Sequence, residues 1–436
     1  MSIFESLDEN HASSAPTPRF LTPTLSSPLS PGQESTIASA CNSMLINSPG
    51  SEAGSSMEDM LNYPRKLSVH GVGGSNDKAN AEASSLIKEQ GRKGNLSSCW
   101  SIWDNLVSET SAPNEITLGC MVDALVSNQE VYHAECLVNE WKYRISPNTV
   151  VYSTLIHGWA KQNDAKRALG IFNQMRSENV PCNAVTYNCM IHACVRVGDM
   201  QGALDLLSSM KNHETVKPDK FTYSTIIKGY CGRGEIENAL YLFESMLNES
   251  LAPDLVIYNT LLDGCVKTRF HEVCDRLLAD MISEWGISPN SYTLSILIKR
   301  FGRQGELTKA FELVDQFPRK YSFRANAHVW TCLISACVSH GRLTTAESVF
   351  RAMCSGSPRH FQANLEVPSQ SPEFKIISDA LSLASFCPPD AKTYETLALG
   401  YARYGNTVRA EELVREGVAR FRTKLSPQCM SLLTYK

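Results

Sequence analysis

The chain has 436 residues, 43% hydrophobic and 20% charged, enough for a large folded body but more than a single core readily organises. A net charge of −4 and a pI near 6.2 give no whole-chain basic signal. No apolar run approaches the length of a membrane span and no secretory signal opens the chain, so no membrane association is expected.

In chain order, residues 1–79 come first, rich in Ser, Pro, Thr, Gly and Asn, as in APTPRFLTPTLSSPLSPG. Such a segment buries too little apolar surface to offset its ordering entropy and is expected to be a disordered tail. It holds Thr17-Pro18, Thr22-Pro23, Ser27-Pro28 and Ser30-Pro31, readable as phosphorylation sites or as an ordinary loose terminus. The opening MSIFESLDEN carries three acids before residue 10, which counts against an organellar transit peptide.

Beyond residue 79 the chain is periodic. Units begin near residues 80, 115, 149, 184, 220, 255, 291, 327 and 391, most of them 34 to 36 residues long; the unit at 327 is longer by an insertion. A period in this range predicts a solenoid. Each unit reads as two helices. In the first, a Tyr-like slot 4 and the slots three, four and seven later are apolar, as in Tyr187, Met190, Ile191 and Cys194. A breaker follows near slot 15, usually Gly (Gly94, Gly198, Gly234, Gly305, Gly341, Gly405). The second helix shows the same stripe, as in Ala168, Ile171, Phe172 and Met175, and units close with Pro-Asp or Pro-Asn, as at Pro218-Asp219, Pro253-Asp254 and Pro289-Asn290. The 15 cysteines contain no C-x-x-C pair, so they are expected to be reduced thiols. Cys120, Cys189 and Cys332 share one slot, and Cys194, Cys265 and Cys337 another. Cys99 and Cys274 take a slot otherwise filled by alanine, so the thiols are expected to be packing residues. His157 and His192 share slot 9 and are expected to be surface or packing residues; no metal site is expected.

One phrase recurs at the head of the units: VVYST, VTYNC, FTYST and VIYNT at residues 150–154, 185–189, 221–225 and 256–260. The tyrosine is constant while the residue after it toggles between Ser and Asn. With Gly near slot 15, Ala at slot 20, Met near slot 27 and a closing Pro-Asp or Pro-Asn, residues 80 to about 428 resemble the pentatricopeptide repeat family. The Trp and Leu-Gly signature of tetratricopeptide repeats is missing. Three units depart from the pattern: Ala83 stands in the Tyr slot, Leu118 is followed by Gly119, and Glu395 follows the last Tyr.

The resemblance implies an all-α fold, a right-handed α-solenoid superhelix of about nine two-helix repeats, carrying single-stranded RNA with one base per repeat. It assigns base choice to slot 5 and to the last residue of the unit. A short hydroxyl or amide can read the exposed Watson–Crick edge of an unstacked base. The implied pairs are Ser153 with Asn183 (adenine), Asn188 with Asp219 (uracil), Ser224 with Asp254 (guanine), Asn259 with Asn290 (cytosine or, less well, uracil) and Ser295 with Asn326 (adenine). The implied core is 5′-AUGCA-3′. Outside it, Ser84 with Asn114 suggests adenine and Thr331 with Asp390 guanine, although the insertion separates the members of the latter pair. Slot 2, which sandwiches bases in the family, holds Val150, Val185, Phe221, Val256 and Tyr292. Slot 13 holds Lys161, Arg196, Lys267 and Arg303, with Arg92 and Arg403 further out. This row would suit phosphates, or would merely favour the helix dipole at the end of the first helix.

The insertion, about 356–387, is Ser/Pro-rich at its start and reads as a surface loop or a docking element, with a short helix conceivable over 373–386. No phosphate-binding Gly loop, no His-Glu-x-x-His and no plausible carboxylate pair occurs, so neither an enzyme nor a cofactor is expected, and the array is expected to close the chain. The expected function is a non-enzymatic RNA-binding adaptor in RNA processing, stability or translation, acting by covering its site, remodelling RNA or recruiting a processing enzyme; the alternative is a helical scaffold for protein partners. The resemblance points to mitochondrion or plastid, the acidic N-terminus to cytoplasm or nucleus.

Overall fold

A computed structural model describes residues 76–108, 112–355, 372–384, 387–421 and 426–432. The expected tail lies outside them up to residue 75, with its Ser/Thr-Pro pairs, as does the Ser/Pro part of the insertion at 356–371. Among the described residues there are twenty α-helices and no strand.

Chain contacts divide these residues into two compact units, one ending at Gly229 and one starting at Tyr230. The first holds the helix pairs α1 (Asn76–Arg92) and α2 (Leu96–Ser108), α3 (Glu115–Ser127) and α4 (Val131–Trp141), α5 (Thr149–Lys161) and α6 (Ala165–Ser177), α7 (Ala184–Val197) and α8 (Met200–Asn212). Helix α9 (Lys220–Arg233) carries the boundary. The second unit continues with α10 (Ile236–Asn248), α11 (Leu255–Thr268), α12 (His271–Ser283), α13 (Ser291–Gln304), α14 (Leu307–Lys320), α15 (Ala327–Ser339) and α16 (Leu343–Ser355). Helices α17 (Pro372–Ala384), α18 (Ala391–Arg403), α19 (Thr407–Phe421) and α20 (Pro427–Ser431) complete it. Within each unit, the first helix of a repeat packs on its own second helix and on the first helix of the next repeat.

Eight first helices start on the residue where the sequence period starts a unit: Glu115, Thr149, Ala184, Lys220, Leu255, Ser291, Ala327 and Ala391. The cause is local. The residue before each start is Asn or Asp, and its side chain accepts a backbone N–H of the first turn. Examples are Asn114 from Thr117 N at 2.9 Å, Asp219 from Thr222 N at 2.8 Å and Asp254 from Ile257 N at 2.9 Å. The first unit is a correction: α1 begins at Asn76, so residues 76–79 belong to the helix and not to the tail. At the other end, α20 begins 36 residues after Ala391 with Ser426 at its N-cap, a repeat start that the period continues and the sequence reading passed over. Helices α7 and α13 stop on Gly198 and Gly305 at φ +84 and +80, a left-handed cap that favours glycine. Helix α17 covers α14 and α16, so this part of the insertion is a packed helix.

Repeat-to-repeat packing uses few slots many times. Slot 20 (Cys99, Ala134, Ala168, Ala203, Ala239, Cys274, Ala310, Ala346, Ala410) is 0% exposed in all nine units. Slot 4 places a ring against a phenylalanine on the second helix of the repeat before it, edge-on: Phe172–Tyr187 at 5.9 Å, Phe243–Tyr258 at 5.4 Å and Phe350–Tyr394 at 4.8 Å. Among the described residues every cysteine is a free thiol. Cys99, Cys120, Cys265, Cys274, Cys332 and Cys337 are buried as expected, and burial pushes the Cys231 and Cys274 thiols up to about 12. Cys189 and Cys194 depart from that expectation and are half-buried.

Close approach of neighbouring first helices leaves no room for a methyl at several glycines, Gly302 among them. A Cβ on Gly302 would lie 2.7 Å from the Cβ of Ala336 on the next first helix, whereas one on Gly170 in α6 would meet nothing within 4 Å. Thermal melts are therefore predicted to move in opposite directions. Gly302→Ala should cost about 1–3 kcal/mol through overpacking, while Gly170→Ala should gain about 0.4–1 kcal/mol from reduced unfolded-state freedom. A stabilising Gly302→Ala would contradict this packing.

Candidate nucleic-acid interface

Slot 2 lies in the first turn of each first helix. Its apolar side chains point out of the protein: Ile116 is 64% exposed, Val150 63%, Val185 58%, Phe221 60%, Val256 64% and Tyr292 49%. Single exposed apolar residues are unremarkable, but a repeated one at the same slot forms a row of apolar surface in each unit. Slot 5 stands three residues on, one turn along the same helix side. Ser153, Asn188, Asn259, Ser295 and Thr331 are all buried there beneath the slot-2 layer, and Ser224 is half-buried. The unit-closing residues are more open: Asn183, Asp219, Asp254 and Asn326 are exposed and Asn290 is half-buried.

The sequence pairs are brought together, mostly through a third residue. Slot 3 of the following repeat is Thr in five junctions, and Thr117, Thr186, Thr222, Thr293 and Thr393 are each 0% exposed. Each Thr hydroxyl bonds the slot-5 side chain of the preceding repeat: Ser84 at 3.1 Å, Ser153 at 2.8 Å, Asn188 at 2.6 Å, Asn259 at 2.8 Å and Thr331 at 2.8 Å. The same hydroxyl reaches the unit-closing N-cap oxygen: Asn114 at 3.0 Å, Asn183 at 3.0 Å, Asp219 at 2.9 Å, Asn290 at 3.2 Å and Asp390 at 2.7 Å. Asn188 also donates from Nδ2 directly to Asp219, at 3.3 Å. Thr331 and Asp390 meet through Thr393 even though the insertion lies between them in sequence. Asn326 is not linked in this way: Val329 follows in slot 3, and Ser295 donates instead to the Tyr292 carbonyl at 2.8 Å. In the departing last unit burial raises the Glu395 pKa, but the Ser426 backbone N–H that it accepts and the neighbouring Lys392 together outweigh burial and lower it.

At the far end of the same helices, slot 13 is about three turns from slot 2 and returns to the same side. Lys161, Arg196, Lys267 and Arg303 are all exposed there. Three of the four also hold protein partners. Arg196 Nε donates to Asn163 at 2.6 Å, Arg303 Nη1 to the Val266 carbonyl at 2.7 Å, and Lys267 pairs with Asp263 at 2.7 Å. Arg303 thus caps a neighbouring helix end, the dipole role, while keeping an exposed position. Slot 9 lies between these rows. His157 is exposed and His192 half-buried; burial first, then the nearby charges of Arg196, His157 and Lys228, lowers the His192 pKa. Among the described residues no cluster of three or more His, Cys, Asp and Glu side chains could hold a metal ion, and no helix is long and apolar enough to cross a membrane.

Sequence reasoning missed the slot-3 threonine. Its signal was present, since Thr precedes the tyrosine in VTYNC and FTYST, but a polar residue buried between two named slots looks like filler until the fold brings adjacent repeats together.

Comparison with known proteins bears on the middle of the array, residues 147–356. A family model described as "PPR repeat family" matches residues 147–196, 183–232, 218–267 and 253–303, and a "PPR repeat" model matches 292–321 and 328–356. Pentatricopeptide repeat-containing protein At1g31920 of Arabidopsis thaliana is 31% identical over 121 residues, 28% of this chain and 19% of that protein. Pentatricopeptide repeat-containing protein At2g02980, chloroplastic, of the same plant is 23% identical over 260 residues, 52% of this chain and 42% of its own length. The crystal structure of the pentatricopeptide repeat protein PPR10 in complex with an 18-nt psaJ RNA element aligns with a TM-score of 0.47 at 22% identity, covering 80% of this chain and 55% of that one. PPR10 is a maize protein. The chain spans about a fifth to two fifths of these curated relatives. The matched models repeat in the register that the helix starts define, and the chain belongs to the pentatricopeptide repeat family.

Proposed function

We propose that this protein binds single-stranded RNA along the first-helix side of its repeats and selects sequence through slot 5 and the unit-closing residue. The observation that carries the reading is the recurrence, over five successive repeats, of an exposed apolar slot-2 residue beside a polar slot 5. Val150, Val185, Phe221, Val256 and Tyr292 supply the apolar surface, Ser153, Asn188, Ser224, Asn259, Ser295 and Thr331 the polar edge. A base entering between two slot-2 side chains gains stacking without sequence preference, and its edge then meets the polar residue. Exposed Lys161, Arg196, Lys267 and Arg303 add a salt-sensitive phosphate contribution in a chain of near-neutral total charge. In the register of Ser153/Asn183, Asn188/Asp219, Ser224/Asp254, Asn259/Asn290 and Ser295/Asn326, the preferred core is AUGCA, and the protein acts as an adaptor that covers or delivers an RNA site, for example to an RNA-processing enzyme. A scaffold for protein partners would also use the apolar row, but has no need to confine slot 5 to Ser, Asn and Thr over six units.

Fluorescence anisotropy with the full chain and short labelled RNAs tests this. Ser224→Asn is expected to move the third-base preference from guanine toward uracil while the other four positions hold; equal weakening at all five would contradict the register. Phe221→Ala, which removes an exposed ring and no core contact, is expected to weaken binding by about 1–3 kcal/mol. Unchanged affinity would remove slot 2 from the interface.

A further inference from the structure

The two-slot reading leaves the buried threonines without a task. We propose that the slot-3 threonine of the following repeat is a positioning residue for base selection, so that the array contains relayed junctions, which have this Thr, and unrelayed ones, which have Val151, Ile257 or Val329 in its place. The proposal rests on the RNA-reading function above and deepens it.

The argument starts from proton supply. A Thr hydroxyl has one proton and two lone pairs. Thr222 stands 2.6 Å from Asn188 Oδ1 and 2.9 Å from Asp219 Oδ1, while the Asp219 backbone N–H donates back to it at 3.2 Å. The one proton of Thr222 goes to Asn188 Oδ1, the shorter contact, and Asn188 Nδ2 donates to Asp219, so the ring of three side chains runs in one sense, Thr222 to Asn188 to Asp219, and its Thr222–Asp219 edge carries no proton. The ring fixes which end of the Asn188 amide faces inward: the carbonyl oxygen toward Thr222, the nitrogen toward Asp219. One N–H and one lone pair remain for a base, in a fixed order. An asparagine outside such a ring can turn its amide over and offer the reverse order. At the Thr331 junction the relay carries a different message. The carboxylate of Asp390 takes the Thr393 proton at 2.7 Å, and Thr331 spends its own on Thr393 or on the Ala327 carbonyl, each at 2.8 Å. Thr331 is left with lone pairs only. The unit-closing residue thereby affects what slot 5 presents without itself touching the base.

The unrelayed junctions differ in the expected way. Ser295, followed by Val329, turns its hydroxyl back onto its own helix at Tyr292. Gly119, followed by Val151, has no side chain, and a Cβ there would lie 3.8 Å from that valine. Asparagine, which has most to lose from an unfixed amide, occupies slot 5 only at Asn188 and Asn259, and both precede Thr. The threonines are 0% exposed, and their role in the relay is to hold the slot-5 residues.

The test measures binding of the full chain to RNAs carrying AUGCA with each base in turn at the second and fifth positions. Thr222→Val, which replaces the hydroxyl by a methyl, is expected to lower discrimination at the second position by about 3- to 10-fold, the loss of one net hydrogen bond, and to leave the fifth unchanged. Thr222→Ser is expected to restore it, and Val329→Thr to sharpen the fifth. The relay is overturned if Thr222→Val keeps the wild-type ratio at the second position, or weakens all positions in parallel as a general loss of stability does. If Thr222→Val does not fold, Val329→Thr decides alone, and an unchanged fifth position overturns the proposal. Wild-type protein without preference at any position overturns base reading itself, a result separable from a selective wild type that ignores Thr222.

Discussion

Everything in this array hangs on the Asn or Asp that closes each repeat. It starts the next first helix by accepting a first-turn N–H, which sets the repeat register, and it meets the slot-3 hydroxyl where a Thr is present. An N-cap contributes about 1 kcal/mol, and Asn, Asp and Ser are near-equivalent in that role while most other residues are poor. The closing residues here are Asn114, Asn148, Asn183, Asp219, Asp254, Asn290, Asn326, Asp390 and Ser426, all good caps. Any message carried at this position must therefore be written in capping residues. Exchange between Asn and Asp alters proton supply at the junction while leaving helix initiation intact, so specificity and stability are separable at this one site.

A second constraint separates the packing layer from the polar one. Slot 20 is small and fully buried in every unit, and slot 4 places its ring against the preceding repeat's second helix. These contacts hold successive repeats at a distance where slot 5 of one meets slot 3 of the next, 2.6 to 3.1 Å between polar atoms. Buried polar groups at that depth are costly unless paired. The threonine pairs them, and its absence before Val151 and Val329 coincides with a glycine and a back-bonded serine in slot 5.

Much of this was legible in the sequence. The period located eight helix starts to the residue, because N-cap chemistry is local and repeats eight times over. Slot 2 stood out as an apolar position and slot 5 as a varied polar one, and the structure puts the first outside and the second just beneath it. Three features were not legible. The beginning of α1 at Asn76 lacks the Asn/Asp cap signal of the later units, α20 is too short to show a stripe, and the half-burial of Cys189 and Cys194 differs from the buried cysteines in the same slots of other repeats. The threonine relay escaped for a different reason: its slot-5 partner lies 33 or more residues away, and only stacked repeats turn that separation into contact.

The most direct measurement is a selection from randomised RNA with the full chain, carried out at two salt concentrations. A reader built on these junctions enriches a short motif close to AUGCA, with affinity that falls as salt rises and a motif that does not change. A pool that stays random while the protein remains folded, with no salt-sensitive binding, would contradict RNA reading and leave the exposed slot-2 row to a protein partner.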